Sequence, residues 1–172
     1  MEWHFLILLI FLIFVSYYDV RYSKIPNWLN VSGFFIGIIY HSILNQLDGF
    51  IHSILGALVG GGILLILYIF KAIGAGDVKL FAAIGAISGV LFTLYTIMYS
   101  IIYAGIIGII ILLFTRTFLV NMTLAGLHLI ESIRKKSLTP LEEFKENVAN
   151  RFPFIYAVVP GVLTTYYYMY IA

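Results

Sequence analysis

Residues 80–115 read LFAAIGAISGVLFTLYTIMYSIIYAGIIGIIILLFT, a run of 36 residues without one acidic or basic side chain. A helix of a soluble protein carries a polar face, whereas a membrane-spanning helix needs about 20 mostly apolar residues. The run is therefore long enough for two short spans or for one overlong span, and the residues around it must decide between these alternatives.

The composition of the whole chain agrees with a membrane location. Of its 172 residues, 62% are hydrophobic and 10% are charged, whereas soluble domains carry about 25% charged residues. A water-soluble fold could not bury this much apolar surface, but a bilayer accepts it. We predict an all-α polytopic membrane protein whose helices lie near 3–18, 29–47, 50–71, 78–88, 90–115 and 152–171.

Several functional classes are disfavoured by the residues that carry chemistry. The chain has no cysteine, so thiolate nucleophiles and Cys-ligated metals are excluded. The four histidines are scattered along the chain without metal-ligand spacing, and the net charge of +2 comes without a basic stripe (His4, His41, His52 and His128). We therefore expect no metal, no cofactor and no nucleic-acid partner.

The basic residues define the expected orientation. If six helices span and the N-terminus lies outside, all ten basic residues fall on one face: Arg21, Lys24, Lys71, Lys79, Arg116, Arg134, Lys135, Lys136, Lys145 and Arg151. Positive charge collects on the cytoplasmic side, which places that face in the cytoplasm and the protein in the plasma membrane. A single helix over 80–115 would separate Arg116 from Lys71 and Lys79, so we predict a turn near Ser88-Gly89. The short fourth helix cannot cross a core of about 30 Å, so the loop 74–79 should be recessed into the membrane.

Residues 117–150 form the only long polar segment. Thr139-Pro140-Leu141-Glu142 combines the spacing of a capping box with proline at the first helical position. We predict an amphipathic helix on the cytoplasmic surface, either as a connector or as a surface for substrate docking. The segment lies inside one integral membrane domain that spans 1–172.

Glycines recur at a spacing of four residues, as Gly33 with Gly37 and Gly56 with Gly60. Small residues at this spacing allow helices to approach closely. We interpret these glycines as helix-packing positions.

Two carboxylates stand apart from the other six. Asp19 and Asp77 are the only ones at the predicted inner edges of apolar helices, where charge is costly and indicates function. Each also has a purely structural interpretation. Asp19 could pair with Arg21 or Lys24, and Asp77 could cap a helix.

Two carboxylates a few Å apart support a specific chemistry. Such a pair shares one proton. The ionised member can activate a water, while the protonated member polarises a carbonyl and later protonates the leaving amine. Gly74 and Gly76 flank Asp77 closely and can adopt positive φ. This pattern favours hydrolysis of a peptide bond without a metal or a covalent intermediate.

Three stretches together resemble the type IV prepilin peptidases. DVRYSKIPN over 19–27 looks like the first active-site region of that family, and GAGDVKL over 74–80 looks like its GxGDxK motif. The stretch FPFIYA over 152–157, followed by Gly161, is similar to the start of the family's last span. The resemblance covers nearly the whole chain, although the paired CxxC motifs of the longer bacterial members are missing.

The resemblance implies an aspartic endopeptidase that removes the short basic leader of prepilins, archaellins or pseudopilins. Cleavage would occur at the cytoplasmic membrane face, just before the apolar helix of the substrate. Asp19 and Asp77 would be catalytic, and the remaining site residues would bind substrate or shape the site: Lys24, Pro26, Asn27, Gly74, Gly76 and Lys79. The missing CxxC motifs leave the N-methylation performed by the longer members without support.

Two alternatives from other classes remain open at this point. Intramembrane carboxylates also mark proton relays, so a small ion- or proton-coupled transporter is one alternative. The other is a structural membrane subunit whose carboxylates only cap helices, in which case both aspartates should tolerate asparagine.

Overall fold

The computed structural model describes residues 3–22, 24–114 and 153–171, and every regular element in these ranges is a helix. The elements are α1 (Trp3–Tyr22), α2 (Asn27–Ile69), α3 (Ala75–Phe114) and α4 (Ile155–Tyr170). The all-α prediction is confirmed. Three helical stretches are long and apolar enough to cross a membrane, namely Trp3–Tyr22, Asn27–Ile69 and Ala75–Ile111. The predicted amphipathic helix in 117–150 lies outside the described residues.

Helix α2 folds back on itself. Asn45 and Gln46 have non-helical backbone angles, with φ of −127° and 49°. The Ser53 hydroxyl donates to the Gly37 carbonyl at 3.2 Å, although 16 residues of straight helix would separate them by about 24 Å. The two segments of α2, 27–44 and 47–69, are therefore antiparallel neighbours.

Helix α3 folds back at Gly89. This residue has φ of 78° and ψ of −178°, a region that side chains disfavour. Phe81 and Thr93 both border the space that a side chain on Gly60 would occupy. In a straight helix these two residues, which are twelve positions apart, would be separated by about 18 Å. The break divides α3 into the segments 75–88 and 90–114, and it lies where the charge distribution predicted a turn.

The predicted helix boundaries need correction at several ends. The described residues form four helical elements, two of which break internally, where we predicted six separate helices. Helix α1 continues to Tyr22 rather than ending at residue 18, so Asp19 lies inside it. Helix α1 ends at Tyr22, and α2 begins at Asn27 directly after Pro26, whose φ of −63° and ψ of 138° are extended. The six spans and the outside N-terminus remain predictions.

The segment 75–88 is the most buried part of the described bundle, because six of its apolar side chains are at most 1% exposed: Leu80, Phe81, Ala83, Ile84, Ala86 and Ile87. Glycines of α2 make this burial possible. Gly37 lies directly on the backbone of Ala86, and Gly56 lies on that of Gly85. The packing role predicted for the spaced glycines is confirmed, since a Cβ at these positions would have no room.

The chain divides into two compact units, one formed by Met1–Ala104 with Pro153–Ala172 and the other by Gly105–Phe152. In the first unit, buried and half-buried hydroxyls join α3 to α4. Thr96 donates to Thr165 at 3.3 Å, and the hydroxyls of Tyr103 and Thr164 are 2.8 Å apart. Of the second unit, the structure describes the end of α3.

One end of the first unit holds a cavity of about 710 Å³ whose lining includes His4, His41, His52, Asp48 and Tyr170. The rings of His4 and His41 are 6.2 Å apart, and those of His41 and His52 are 5.1 Å apart. Three histidines that are scattered in the sequence therefore meet in space. His4 is near the start of α1, so this end of the bundle is opposite to the one that contains Asp19.

Candidate active site

Asp19 lies in the last turn of α1 and is 8% exposed. Leu8, Leu12 and Val15 precede it on the same buried stripe of the helix, at the spacing that keeps side chains on one face. Extension of α1 to Tyr22 thus places the carboxylate inside the packed bundle, on the face that contacts the other helices.

The start of α4 supplies a partner for Asp19. The carboxylate interacts with the backbone N–H of Ile155, the first residue of that helix. The first N–H groups of a helix lack partners within the helix and carry partial positive charge. The Asp19 Oδ2 is buried and has no hydrogen-bond partner among the described residues.

Arg21 contacts two tyrosines, whereas the sequence suggested that it could pair with Asp19. Its guanidinium donates to the Tyr17 hydroxyl at 3.1 Å and lies 5.9 Å and 5.8 Å from the ring centres of Tyr17 and Tyr22. Lys24 is exposed on the connection between α1 and α2. The interpretation of Asp19 as an ordinary boundary carboxylate therefore gains no support from these contacts.

Asp77 lies in the first turn of α3 and is half-buried. Its Oδ2 accepts the Gly74 N–H at 3.1 Å, and its own N–H donates to the Gly74 carbonyl at 3.1 Å. This is the back-bond of a capping box, in which the third helical residue satisfies the N–H before the helix. Asp77 is therefore the third helical residue and not the N-cap residue that the sequence suggested, and its back-bond uses one carboxylate oxygen.

The structure brings the two aspartates to the same end of the bundle. The Asp77 carboxylate lies within electrostatic range of Asp19. The N-terminus of α3 binds Asp77, and that of α4 faces Asp19. Among residues 3–22, 24–114 and 153–171, no three histidine, cysteine or acidic side chains are grouped as a metal site requires. The arrangement is suited to acid–base chemistry on a water held between carboxylates.

Other predicted site residues join the start of α2 to the start of α3. The Lys79 ammonium donates to the Asn27 side-chain oxygen at 2.8 Å. Pro26 is the residue that precedes α2, and its carbonyl accepts the Leu29 N–H at 3.1 Å. These Pro26 contacts stay within α2, and Lys24 is exposed on the connection from α1.

The two glycines beside Asp77 do not adopt the backbone conformation that we expected. Among the described glycines, positive φ occurs at Gly89 and not at Gly74 or Gly76. A side chain would be tight at Gly74 but would make only an ordinary contact at Gly76. A Cβ on Gly74 would lie 3.3 Å from the Asp77 Oδ2, and one on Gly76 would lie 4.0 Å from the Ile25 side chain.

Sequence reasoning missed Asn30. This residue is 3% exposed, and its Nδ2 donates to the Gly76 carbonyl at 3.4 Å. Its Oδ1 is buried without a hydrogen-bond partner among the described atoms. The available signal was its spacing, because residues three apart on a helix share a face and Asn27 was already a predicted site residue. The contact of Ile155 with Asp19 had no comparable signal.

Comparison with known proteins was made on the whole chain. A family model described as the type IV leader peptidase family matches residues 6–113, which is more than half of the chain and includes Asp19 and Asp77. No curated protein and no solved structure matches the chain. The chain belongs to the type IV leader peptidase family, a family of proteases.

Proposed function

We propose that this protein is an aspartic endopeptidase of the membrane whose catalytic pair is Asp19 and Asp77. The observation that carries the proposal is their placement at one end of the bundle, within electrostatic range of each other. Membership of a leader peptidase family supports peptide hydrolysis over transport. Arg21 forms no ion pair with either carboxylate among the described contacts, since its guanidinium donates to the Tyr17 hydroxyl.

The pair would act on a water molecule. One carboxylate, in its ionised form, accepts a proton from the water as that water attacks the scissile carbonyl. The other, in its protonated form, donates a hydrogen bond to the carbonyl oxygen, and the leaving amine finally receives a proton. Because carboxylates that share one proton titrate as a pair, the two roles are proposed for the pair and not for either residue alone.

The backbone donors at the site would keep the pair in place. The Gly74 N–H holds one oxygen of Asp77, and the Ile155 N–H faces Asp19. Both donors lie at the beginning of a helix, where the dipole favours negative charge. The Lys79–Asn27 bond fixes the start of α3 against α2, so the position of Asp77 relative to Asp19 depends on contacts between three helices.

We further propose that the substrate is a prepilin, an archaellin or a pseudopilin precursor. Its basic leader would lie at the cytoplasmic face of the plasma membrane, and its apolar helix would lie in the bilayer. The proposed topology has six spans with the N-terminus outside. It is supported by the internal breaks in α2 and α3, which allow four helical elements to form six segments.

The test is cleavage of candidate precursors by Asp19→Asn and Asp77→Asn, read as product mass. Asparagine keeps the shape and the capping capacity of aspartate but cannot transfer the proton. We expect each variant to lower the cleavage rate by about 10²–10⁴-fold. Normal processing by either variant would contradict the assignment of the pair and favour a structural role.

A matched control is available at the opposite end of the bundle. Asp48 is exposed and lines the histidine cavity. Asp48→Asn removes the same charge from the chain without touching the proposed site, so it should cleave at the wild-type rate. The thermal stability of all three variants should be measured in the same detergent, so that loss of activity is separated from loss of fold.

A further inference from the structure

Two buried oxygen atoms at the Asp19 end of the bundle accept no hydrogen bond from any described residue. They are Oδ2 of Asp19 and Oδ1 of Asn30, on side chains that are 8% and 3% exposed. The other buried side-chain atoms without a partner among the described residues are the hydroxyls of Ser42, Ser88 and Ser100. A hydroxyl can donate as well as accept, whereas an amide oxygen or an ionised carboxylate oxygen can only accept. The two oxygens at the Asp19 end therefore require a donor that the described residues do not supply.

The orientation of the Asn30 amide is fixed by the carbonyl that it contacts. Its Nδ2 lies 3.4 Å from the Gly76 carbonyl oxygen. A carbonyl can only accept, so the nitrogen and not the oxygen of the amide must face it. Because this carbonyl belongs to the peptide group that joins Gly76 to Asp77, the amide nitrogen lies within about 6 Å of the Asp77 Cα. The Oδ1 of Asn30 is thus a buried acceptor near one member of the proposed catalytic pair.

The second unpartnered oxygen belongs to the other member of the pair. Asp19 ends the buried stripe of α1, and Asn30 begins a buried stripe of α2 that continues with Gly33 and Gly37. Both side chains therefore point into the first unit rather than toward lipid. Asp77 connects their surroundings, since its carboxylate lies within electrostatic range of Asp19 and its backbone follows the carbonyl that binds Asn30.

A water molecule is the donor that suits two such acceptors. Buried waters in proteins make about three hydrogen bonds, to polar groups that are otherwise unsatisfied. One water can donate a hydrogen to each oxygen, whereas a protonated carboxyl of Asp19 would satisfy the Asn30 oxygen alone. Buried acceptors without a donor are rare in folded proteins, and a catalytic role or a bound water is the usual explanation. At this site the two explanations coincide, because the proposed reaction consumes a water.

We propose that Asn30 is a further catalytic residue whose Oδ1 holds the attacking water together with the carboxylate pair. The inference rests on the proposed function. In the reaction one O–H bond of the water breaks, and its proton passes to the ionised carboxylate while the water oxygen bonds to the scissile carbonyl carbon. The second hydrogen, held by the Asn30 Oδ1, stays on that oxygen, so the amide orients the water and transfers no proton. The C–N bond then breaks as the leaving amine takes a proton from a carboxyl of the pair.

Replacement of Asn30 by leucine tests the acceptor, because leucine has nearly the shape of asparagine and no polar atom. We expect Asn30→Leu to lower the kcat of precursor cleavage about 10²-fold, the usual effect of a misplaced reacting group. The KM should stay within about twofold, because Oδ1 contacts the water and not the peptide. Asn27→Ala is the matched comparison. It removes one hydrogen bond between the same helix and the start of α3, and its loss of kcat/KM should be only about threefold to tenfold.

Asn30→Asp adds a measurement that a purely structural contact would not affect. In its protonated form the new carboxyl has the shape of the amide, donates to the Gly76 carbonyl and keeps an acceptor for the water. In its ionised form it cannot donate, and it adds a negative charge near Asp19 and Asp77. The kcat of Asn30→Asp relative to the wild type should therefore rise as the pH falls from about 8 to about 5. The relative kcat of Asn30→Leu should not change over this range.

The outcomes separate this inference from the proposed function. A loss for Asn30→Leu no greater than that for Asn27→Ala would make Asn30 a positioning residue and overturn its catalytic role alone. If Asn30→Leu melts well below the wild type in the same detergent, Asn30→Asp decides, and a relative kcat that is independent of pH overturns the role. No cleavage of any precursor by the wild-type chain would overturn the proposed function and the role of Asn30 with it.

Discussion

Two contacts between single residues connect the first turns of α2 to the start of α3. Lys79 donates to Asn27 at 2.8 Å, and Asn30 donates to the Gly76 carbonyl at 3.4 Å. Asp77 lies between the two residues of α3 that are held in this way. A small displacement of a reacting group can cost a large part of a catalytic rate, so both contacts should affect catalysis without contacting the substrate.

The bond between Lys79 and Asn27 can be tested as a pair. We expect Lys79→Met and Asn27→Ala each to lower kcat/KM about threefold to tenfold, the usual range for one lost hydrogen bond. The double variant should lose little more than either single variant, because each substitution removes the same bond. Initial rates of precursor cleavage give the measurement. Because the Lys79–Asn27 pair is exposed to solvent, we expect the loss of kcat/KM to lie near threefold.

Lys71→Met is the control for this pair. Lys71 is exposed beyond the end of α2, so the substitution removes the same charge without removing the bond to Asn27. Its kcat/KM should stay within about twofold of the wild type. Additive losses in the double variant would show that Lys79 and Asn27 act separately and would contradict a positioning role for their bond.

At this scale the sequence singles out the two aspartates because a membrane location makes an isolated carboxylate conspicuous. It predicted Asn27 and Lys79 only through a family resemblance, since neither residue is unusual in a polar loop. Asn30 was missed because its burial depends on how α2 packs against the loop before α3. That packing is a long-range contact, which the local pattern of residues does not encode.

At the scale of the elements, the close approach of α2 to the segment 75–88 is made by glycine facing glycine. A Cβ on Gly56 would collide with the Gly85 carbonyl, and a Cβ on Gly85 would collide with that of Gly56. Backbone carbonyls cannot move aside as a flexible side chain can. The separation between these helices is therefore fixed by the absence of side chains at Gly56 and Gly85. This separation also sets the position of the start of α3 relative to α2.

We expect Gly56→Ala to destabilise the protein by about 1–3 kcal/mol, the usual cost of overpacking a core. The melting temperature in detergent should fall by several degrees, and the cleavage rate should fall with it because Asp77 belongs to the displaced segment. Thermal unfolding followed by circular dichroism gives the first quantity, and precursor cleavage gives the second.

Gly62→Ala provides the matched control within the same helix segment. Nothing lies within 4 Å of the position that its Cβ would take, so the substitution should be neutral or stabilise the helix by up to about 1 kcal/mol. Equal melting temperatures for Gly56→Ala and Gly62→Ala would contradict the role of Gly56 as a packing position.

The helix breaks show what could be predicted at this scale and what could not. The break at Gly89 was predicted from charges that lie far from it along the chain, because only a turn there keeps the basic residues on one face. The break in α2 was expected between 47 and 50 but occurs at Asn45 and Gln46. Gln46 has φ of 49°, a conformation that a residue other than glycine seldom adopts, so local sequence gave no reason to place it there.

The first compact unit, Met1–Ala104 with Pro153–Ala172, has two chemically different ends among its described residues. His4 and Asp48 line the cavity at one end, and Asp19, fifteen residues after His4 on α1, lies about 22 Å away at the other. Lys79 and Arg21 lie at the Asp19 end, where the connections from α1 to α2 and from α2 to α3 also occur. The basic side chains in these connections and the proposed catalytic pair therefore share one end of the bundle.

This asymmetry predicts which end faces the cytoplasm, and the natural absence of cysteine makes the prediction simple to test. Lys71→Cys and Asp48→Cys each place one thiol at an exposed position, the first after α2 at the Asp19 end and the second at the cavity end. A membrane-impermeant maleimide added to intact cells should label Asp48→Cys and leave Lys71→Cys unlabelled until the membrane is opened. The positive-inside rule requires this order. Labelling of Lys71→Cys in intact cells, with the cysteine-free wild type unlabelled, would place the aspartates on the outer face and contradict cleavage of a leader in the cytoplasm.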